Sequence, residues 1–209
     1  MGRQKLIKYD HGAYHVNAKT NNAEWFPIPL SDCWNIFTYY LNKTKEKYKI
    51  EIHAFTLMSN HFHLLCSTPE ENLDKAMNYF MQMTSKGINL AAGRKNHLYG
   101  GKYFWTHTST AEGYALMYKY ILRNPVRAKL CKGVENYPWT SFVSNKKIQL
   151  TKNPIDELVP KEDPASWINF CPQDFEENIF QKIFKKTEIK DCIHPISRQK
   201  INLNKYLTR

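Results

Sequence analysis

Hydrophobic and polar positions alternate with two different periods along residues 11–124. A period of two residues, typical of half-buried strands, occurs in four segments: residues 11–20, 49–59, 61–68 and 103–106. Apolar residues recur at helical spacing in three segments: residues 31–48, 71–93 and 111–124. The pattern therefore predicts the element order β-α-β-β-α-β-α.

Capping and turn residues mark the ends of these elements. Ser31 can cap the first helix, and the Ser59-Asn60 pair suits the turn of a hairpin between the second and third strands. Ser109 begins an S-x-x-E capping box at the start of the third helix. Pro125 is expected to end that helix, because the residue before a proline is displaced from helical angles.

The element order indicates an α+β fold of the ferredoxin-like (RRM-like) type. We expect a four-stranded antiparallel sheet with the helices on one face and the other face open, as in RNA-recognition folds. Charge and proline content change after residue 150, which predicts a domain over residues 1–150 and a C-terminal helical or irregular accessory extension over residues 151–209. Within the extension, residues 174–186 have a helical pattern that begins with a capping pair.

Positive charge is concentrated in the predicted sheet domain. The whole chain carries a formal net charge of +11. Residues 1–150 contain 20 Lys and Arg against 10 Asp and Glu, whereas residues 151–209 contain 10 against 9. Such an excess favours a polyanionic partner, most often nucleic acid, and a basic surface that serves only solubility is the alternative.

Composition argues against several other classes of protein. The hydrophobic content of 42% is that of a folded protein, and the apolar runs are too short to span a bilayer. The charged start lacks the apolar segment of a secretory signal. The five cysteines are scattered without a C-x-x-C pair, which argues against a zinc ribbon and against a disulfide framework. We therefore expect a cytoplasmic protein without a membrane partner.

The stretch LMSNHFHLL places two imidazoles on one face of the third strand. His61 and His63 are two residues apart, and side chains alternate between faces along a strand. They are either part of a metal site or an unrelated pair of strand histidines. A catalytic divalent ion needs a further ligand from a neighbouring element. The third helix offers Asn124, one turn after Tyr120, and an amide oxygen beside imidazoles favours Mn²⁺ or Mg²⁺.

Five motifs resemble those of one family of DNA-processing enzymes. They are YHVNAK near the start, HAFTLMSNHFHLL at the second and third strands, HLYGGKYFWT, YILRNPVRA at residues 120–128 and YPWTSF at residues 137–142. Their order and spacing are similar to those of the REP-associated tyrosine transposases, within the HUH single-tyrosine transposase family of bacterial insertion sequences. His-x-His alone would be a weak signal, but the combination is specific.

The resemblance implies a reaction and a set of roles. Tyr120 corresponds to the nucleophile. The ligands of the divalent metal, Mg²⁺ or Mn²⁺, correspond to His61, His63 and Asn124. Enzymes of this family cleave single-stranded DNA beside a hairpin, leave a 5′-phosphotyrosine and a free 3′-OH, and rejoin strands without ATP. The implied location is the bacterial cytoplasm, in association with the nucleoid.

Seven side chains near the expected site are candidate DNA contacts. They are the basic residues Lys19, Lys102, Lys119, Arg123 and Arg127, and the aromatic residues Tyr103 and Trp105. Core packing of at least one of the two aromatic residues is an equal alternative. Lys19 and Lys102 stand where the family more often has arginine, which keeps the charge but loses bidentate phosphate geometry.

Other readings of the sequence stay open. Tyr114 and Tyr118 are rival tyrosines on the third helix, although their positions group them with the apolar stripe. The protein could instead be a non-catalytic module that binds structured nucleic acid, or a metal-dependent phosphodiesterase that uses water and forms no adduct. The long C-terminal extension favours a monomer, as in the REP-associated relatives, over the homodimer of other insertion-sequence relatives.

Overall fold

Four strands and four α-helices form the described part of the chain, which in this computed structural model comprises residues 6–152 and 159–170. The strands are β1 (Ala13–Lys19), β2 (Glu51–Leu57), β3 (His61–Ser67) and β4 (Phe104–Thr108). The helices are α1 (Leu30–Tyr48), α2 (Leu73–Ala91), α3 (Ala111–Arg127) and the short α4 (Pro164–Asn169). From β1 to α3 the order is the one that the hydrophobic pattern predicts.

The four strands form a single antiparallel sheet in the order β2-β3-β1-β4. A tight turn joins β2 to β3, where Met58 N–H donates to the His61 carbonyl at 2.8 Å. β1 lies between β3 and β4, so each of the two central strands is paired on both sides. This arrangement confirms the predicted α+β, ferredoxin-like class with its four-stranded antiparallel sheet.

Helices α1 and α2 cover one face of the sheet. Alternate strand residues such as Val16 and Leu64 point to this face and are fully buried. They share one apolar cluster with Phe37 of α1 and Phe80 of α2. Because this cluster includes residues of three strands and both helices, it holds the sheet as a firm base for the side chains on the opposite face.

The third helix packs on the opposite face, over β2 and β3. Ala54 and Leu65 point to this side and lie in a second buried cluster with Met117 and Ile121 of α3. The expectation that all helices share one face and leave the other face open is therefore corrected. The apolar stripe of α3 must be buried, and the alternate residues of β2 and β3 provide an apolar surface for it.

Helix α3 continues through Pro125 and ends at Arg127, which corrects the prediction that the proline ends it. Pro125 has no N–H, so the Ile121 carbonyl loses its normal helical donor four residues later. The Thr56 hydroxyl of β2 donates to that carbonyl at 2.9 Å instead. The sheet thus compensates for the proline and ties α3 to β2 at the same point.

Other element ends differ from the predictions by one to a few residues. Helix α1 begins at Leu30, so Ser31 lies inside it rather than at its cap. The cap of α3 is Thr110 rather than Ser109, because the Thr110 hydroxyl accepts from Gly113 N–H at 3.1 Å. Strand β4 begins one residue later than expected, at Phe104. The pairing of β4 with β1, rather than the first residue of β4, decides which aromatic side chains face the site.

Part of the C-terminal extension packs against α3. Trp167 and Ile168 of α4 are buried in the cluster that contains the apolar residues of α3. The helix predicted over residues 174–186 lies outside the described residues, and the domain boundary near residue 150 stays a prediction. None of the helices in residues 6–152 or 159–170 has the length and apolar character of a membrane span.

Candidate active site

Three histidines meet on the face of the sheet that α3 partly covers. His61 and His63 point to this face from β3, since the intervening Phe62 lies in the opposite core. The neighbouring strand β1 adds His15, which is buried. A hydrogen bond of 2.8 Å joins His15 Nε2 to His63 Nδ1, and the two rings stack with centroids 5.1 Å apart. The predicted histidine pair is thus part of a trio.

Helix α3 brings the predicted tyrosine and asparagine to the same place. The Tyr120 ring stands edge-on to two of the histidines, with its centroid 5.5 Å from that of His15 and 5.7 Å from that of His63. One turn later, Asn124 Nδ2 donates to the Tyr120 carbonyl at 2.8 Å. This bond orients the amide, so that its oxygen is directed away from that carbonyl. The structure therefore places the Tyr120 ring beside the histidines, with Asn124 one turn further along the same helix.

The imidazole of His61 is held by the turn that precedes it. Asn60 Oδ1 lies 2.6 Å from His61 Nδ1, and Asn60 Nδ2 donates to the Ala23 carbonyl at 2.7 Å. On the neighbouring imidazole, His63 Nε2 is buried and has no hydrogen-bond partner among the described residues. A buried nitrogen without a partner is unusual and calls for an explanation, such as a ligand that binds there.

Burial keeps the three imidazoles neutral. It lowers the pKa of His15 to about 3 and that of His61 to about 4, in the second case with a smaller contribution from Lys19. The pKa of His63 lies well below its usual value, first through burial and then through the nearby His15, His61 and Arg127. Neutral imidazoles have a lone pair for a metal, whereas protonated ones do not.

The donor set suits a hard or borderline divalent ion. Within the part of the chain that the structure describes, no group of three His, Cys, Asp or Glu side chains is arranged to hold a metal. Two imidazoles and one amide oxygen, from His61, His63 and Asn124, would leave positions open for water or a phosphate oxygen. The unpartnered His63 Nε2 is the observation by which these residues fit such an ion.

Three of the predicted basic contacts lie at or near the surface. Lys19 is exposed and pairs across the sheet with His61, and Lys102 is exposed just before β4. The Arg127 guanidinium lies 4.9 Å from the centre of the Tyr120 ring, in cation–π geometry. Their contacts with DNA stay predictions, and Lys19 and Arg127 place positive charge beside His61 and Tyr120.

The other two predicted basic contacts are buried. Lys119 is 5% exposed and Arg123 is 6% exposed. The Lys119 ammonium lies 4.0 Å from the centre of the Trp167 ring of α4, and burial lowers its pKa to about 8, with a smaller effect of Arg123. The expectation that these two side chains contact the DNA backbone is therefore corrected, because the C-terminal segment covers this side of α3.

The predicted stacking residues face the wrong side of the sheet. Trp105 is opposite Val16 in the β1–β4 ladder, and both Trp105 and Tyr103 pack against the core of α1 and α2. Their proposed role as base-stacking residues beside the histidines is therefore corrected. Phe104, which lies between them, is 71% exposed and opposite Asn17, on the face that carries the histidines.

A polar pocket of about 510 Å³ lies next to the turn that holds His61. It is formed by residues 20–25 and 94–98, and it includes Arg94, Lys95 and Trp25. Trp25 is 77% exposed. Its backbone is close to the site, since the neighbouring Phe26 N–H donates to the carbonyl of Ser59 at 2.8 Å. Sequence reasoning did not single out this pocket, because its two segments are far apart in the chain.

Known proteins share both the sequence pattern and the fold. Residues 30–124 match the model of the family described as Transposase IS200 like. A solved structure described as the REP-associated tyrosine transposase bound to a REP hairpin has a TM-score of 0.61 and 14% identity, over 85% of this chain and 96% of that chain. A structure described as a candidate transposase from Deinococcus radiodurans is 18% identical over 58% of this chain and 94% of that chain; its TM-score of 0.39 supports no conclusion. None of the curated proteins matches the chain.

These matches confirm the resemblance that the motifs indicate. The matched segment runs from α1 to Asn124 and so contains the metal-ligand candidates and Tyr120. The structural match, at 14% identity, shows that this chain shares the fold of that solved transposase.

Proposed function

We propose that the protein is a metal-dependent single-strand DNA endonuclease and strand transferase that acts beside DNA hairpins. The observation that carries the proposal is the placement of the Tyr120 ring against His63, on the helix that also supplies Asn124. Three separate elements, β1, β3 and α3, converge there. A tyrosine that served only to fill the core would not need two neutral imidazoles and an amide beside it.

The proposed ligands of the divalent ion are His61 Nε2, His63 Nε2 and the Asn124 amide oxygen. When Mg²⁺ or Mn²⁺ is bound, it would polarise the scissile phosphate and favour the phenolate form of a nearby tyrosine. The chain's own contribution is to hold the imidazoles neutral and oriented, and to keep one side of the site dry under α3.

Tyr120 is the proposed nucleophile. Its phenolic oxygen would form a bond to phosphorus while the bond from phosphorus to the 3′ oxygen breaks. The phenol loses its proton as it attacks, the 3′ oxygen takes up one proton and leaves as a 3′-OH, and the 5′ end stays on the tyrosine. Attack of another 3′-OH on the phosphotyrosine would reverse these bond changes and join a new strand. Arg127, at 4.9 Å from the ring centre, is placed to neutralise phosphate charge during both steps.

The proposed partner is single-stranded DNA with an adjoining hairpin. The solved relative is bound to a REP hairpin, and a hairpin substrate for this chain is inferred from the shared fold. Basic charge in residues 1–150 would attract the DNA backbone. Phe104, on the histidine face of β4, and Trp25, in the pocket next to the β2–β3 turn, are exposed aromatic residues available to stack unpaired bases.

The protein is proposed to act as a monomer. Tyr120 and the histidines that it contacts belong to one chain, so no second subunit is needed to complete the site. The molar mass in solution checks this proposal, and a stable dimer would contradict it. The cytoplasmic, nucleoid-associated location expected from the sequence stays a prediction.

The reaction is tested with hairpin-flanked single-stranded DNA and Mn²⁺ or Mg²⁺. We expect a covalent protein–DNA adduct that survives denaturation, disappears with a chelator and is absent in Tyr120→Phe. Tyr118→Phe is the matched control, because it removes a phenol two residues away on the same helix and should leave the adduct unchanged. A full yield of adduct from Tyr120→Phe would assign the nucleophile to another residue.

The same experiment separates the two other functions that the sequence leaves open. Cleavage without any adduct would indicate a phosphodiesterase that uses water. Binding of the hairpin without cleavage, insensitive to chelator and to His61→Ala, would indicate a non-catalytic binding module. Either outcome would overturn the proposed strand transfer.

A further inference from the structure

We propose that two further side chains, Asn60 and His15, act as positioning residues for the proposed metal ligands. Each holds the adjacent ligand histidine in the tautomer that carries its proton on Nδ1, so that both Nε2 lone pairs are available to the cation. The inference rests on the proposed function, because it concerns the ligands of the metal proposed above.

Asn60 determines the tautomer of His61. The atom of Asn60 that approaches the Ala23 carbonyl at 2.7 Å must be the amide nitrogen, because two oxygens could not share a proton there. The amide oxygen is therefore the atom 2.6 Å from His61 Nδ1. An amide oxygen only accepts, so Nδ1 must donate and carry the proton. A neutral imidazole then has its lone pair on Nε2.

His15 performs the same task for His63. The bond of 2.8 Å between His15 Nε2 and His63 Nδ1 allows two proton arrangements. Each arrangement leaves one buried N–H without an acceptor among the described residues, on His63 Nε2 if His15 donates and on His15 Nδ1 if His63 donates. Only donation from His63 Nδ1 to His15 Nε2 leaves a lone pair on His63 Nε2 for the proposed cation. We therefore assign this arrangement as part of the proposal.

Both positioning residues are themselves fixed by the fold. His15 is buried in β1 between β3 and β4, and its ring stacks on that of His63 with an interplanar angle of 21°. The backbone carbonyl of Asn60 accepts from Thr20 N–H at 2.9 Å, so the turn is also tied to the end of β1. Partners that orient metal-bound histidines in this way commonly contribute about 10–100-fold in metal affinity.

The tautomers are measured directly in the metal-free protein without DNA. Nitrogen-15 NMR of the histidine rings separates a protonated from an unprotonated nitrogen by a large difference in chemical shift. We expect His61 and His63 both to carry their proton on Nδ1 in the unmodified protein. A predominant Nε2–H form of either residue would overturn its assignment, and this result needs no variant to fold.

Variants then connect the tautomers to metal affinity, measured as Mn²⁺ binding by electron paramagnetic resonance. We expect Asn60→Leu and His15→Leu each to bind Mn²⁺ about 10–100-fold more weakly and to lose the single tautomer of the adjacent histidine. Asn60→Asp loses the bond to the Ala23 carbonyl but keeps an acceptor oxygen for His61, so it should retain the Nδ1–H tautomer of His61. Unchanged Mn²⁺ affinity in folded His15→Leu or Asn60→Leu would overturn the positioning role.

His53→Leu is the matched control for loss of a buried histidine. His53 is as buried as His15, and its Nε2 bonds to the Ser67 hydroxyl at 2.9 Å, away from the proposed ligands. Its removal should leave Mn²⁺ affinity unchanged, and an equal loss would overturn the specific role of His15. Adduct formation is measured separately. Absence of the adduct would overturn the proposed reaction alone, whereas Nε2–H tautomers would overturn the positioning roles even in an active enzyme.

Discussion

Phe104 is an exposed aromatic residue on the sheet face that carries the proposed metal ligands. Phe104 is opposite Asn17 where β4 pairs with β1. Asn17 is in turn opposite His63 where β1 pairs with β3. An exposed phenylalanine adds nothing to the core, and a flat apolar ring is a suitable surface for an unpaired base. Its two neighbours, Tyr103 and Trp105, pack against the core instead.

The affinity for single-stranded DNA should therefore depend on Phe104. We expect Phe104→Ala to weaken binding of the single-stranded segment by about 1–3 kcal/mol, the contribution typical of one stacked base. Fluorescence anisotropy with a labelled oligonucleotide measures the change. Tyr39→Ala is the control, because Tyr39 is a similarly exposed aromatic residue on α1, on the far side of the sheet. Equal affinities of Phe104→Ala and the unmodified protein would contradict the stacking role.

Helix α3 is the element on which the geometry of the site depends most. It supplies Tyr120 and Asn124, yet a proline interrupts its hydrogen bonding in the very turn that follows them. The hydroxyl of Thr56 restores the missing donor at the Ile121 carbonyl. That single bond both preserves the helix through Pro125 and sets its position against β2.

Loss of the Thr56 hydroxyl should destabilise the protein through this carbonyl. We expect Thr56→Val to lower the free energy of unfolding by about 1–3 kcal/mol, because a buried carbonyl loses its donor. Thr56→Ser keeps the hydroxyl and serves as the control. In a Pro125→Ala background the helix regains its own N–H, so Thr56→Val should cost less there. Urea unfolding of the four combinations of Thr56→Val and Pro125→Ala measures this coupling, and equal costs in both backgrounds would rule out the compensation.

At the scale of the whole molecule, packing on both faces of the sheet buries several neutral histidines. Burial lowers the pKa of His15 to about 3 and that of His53 to about 4, and it holds the pKa of His63 well below its usual value. In the unfolded chain the same groups titrate near pH 6.5. Between these values the unfolded state binds more protons than the folded state, so acid favours unfolding.

The free energy of unfolding should therefore keep its full histidine-dependent value above about pH 6.5 and decrease as the pH is lowered below that. Each such histidine would reduce the free energy of unfolding by up to about 1.4 kcal/mol per pH unit until its folded-state pKa is reached. Urea unfolding in metal-free buffer from pH 7 to 5 measures the slope. His53→Gln should reduce the slope of the unfolding free energy against pH by the amount that one bound proton contributes. A free energy of unfolding that does not fall with acid would contradict the burial of neutral imidazoles.

Local periodicity made the elements predictable from the sequence, and the resemblance to a known family assigned the roles in the proposed catalytic set. Alternation along a strand puts His61 and His63 on one side, and a helical turn puts Tyr120 next to Asn124, whatever the rest of the chain does. The element order and the sheet class follow from the same short-range patterns, and the structure agrees with them.

Tertiary structure alone decided the face on which α3 packs, the partner of His63, the orientation of β4 and the burial of Lys119. Each depends on which segments, far apart in the sequence, pack against each other and are buried, such as α4 against α3 or β1 between β3 and β4. A shift of one residue in the pairing register of β4 would move every side chain of that strand to the other face, so the register with β1 decides that Phe104 rather than Trp105 lies on the histidine face. Residue periodicity fixes which side chains share a face of an element, but only long-range burial determines what that face meets.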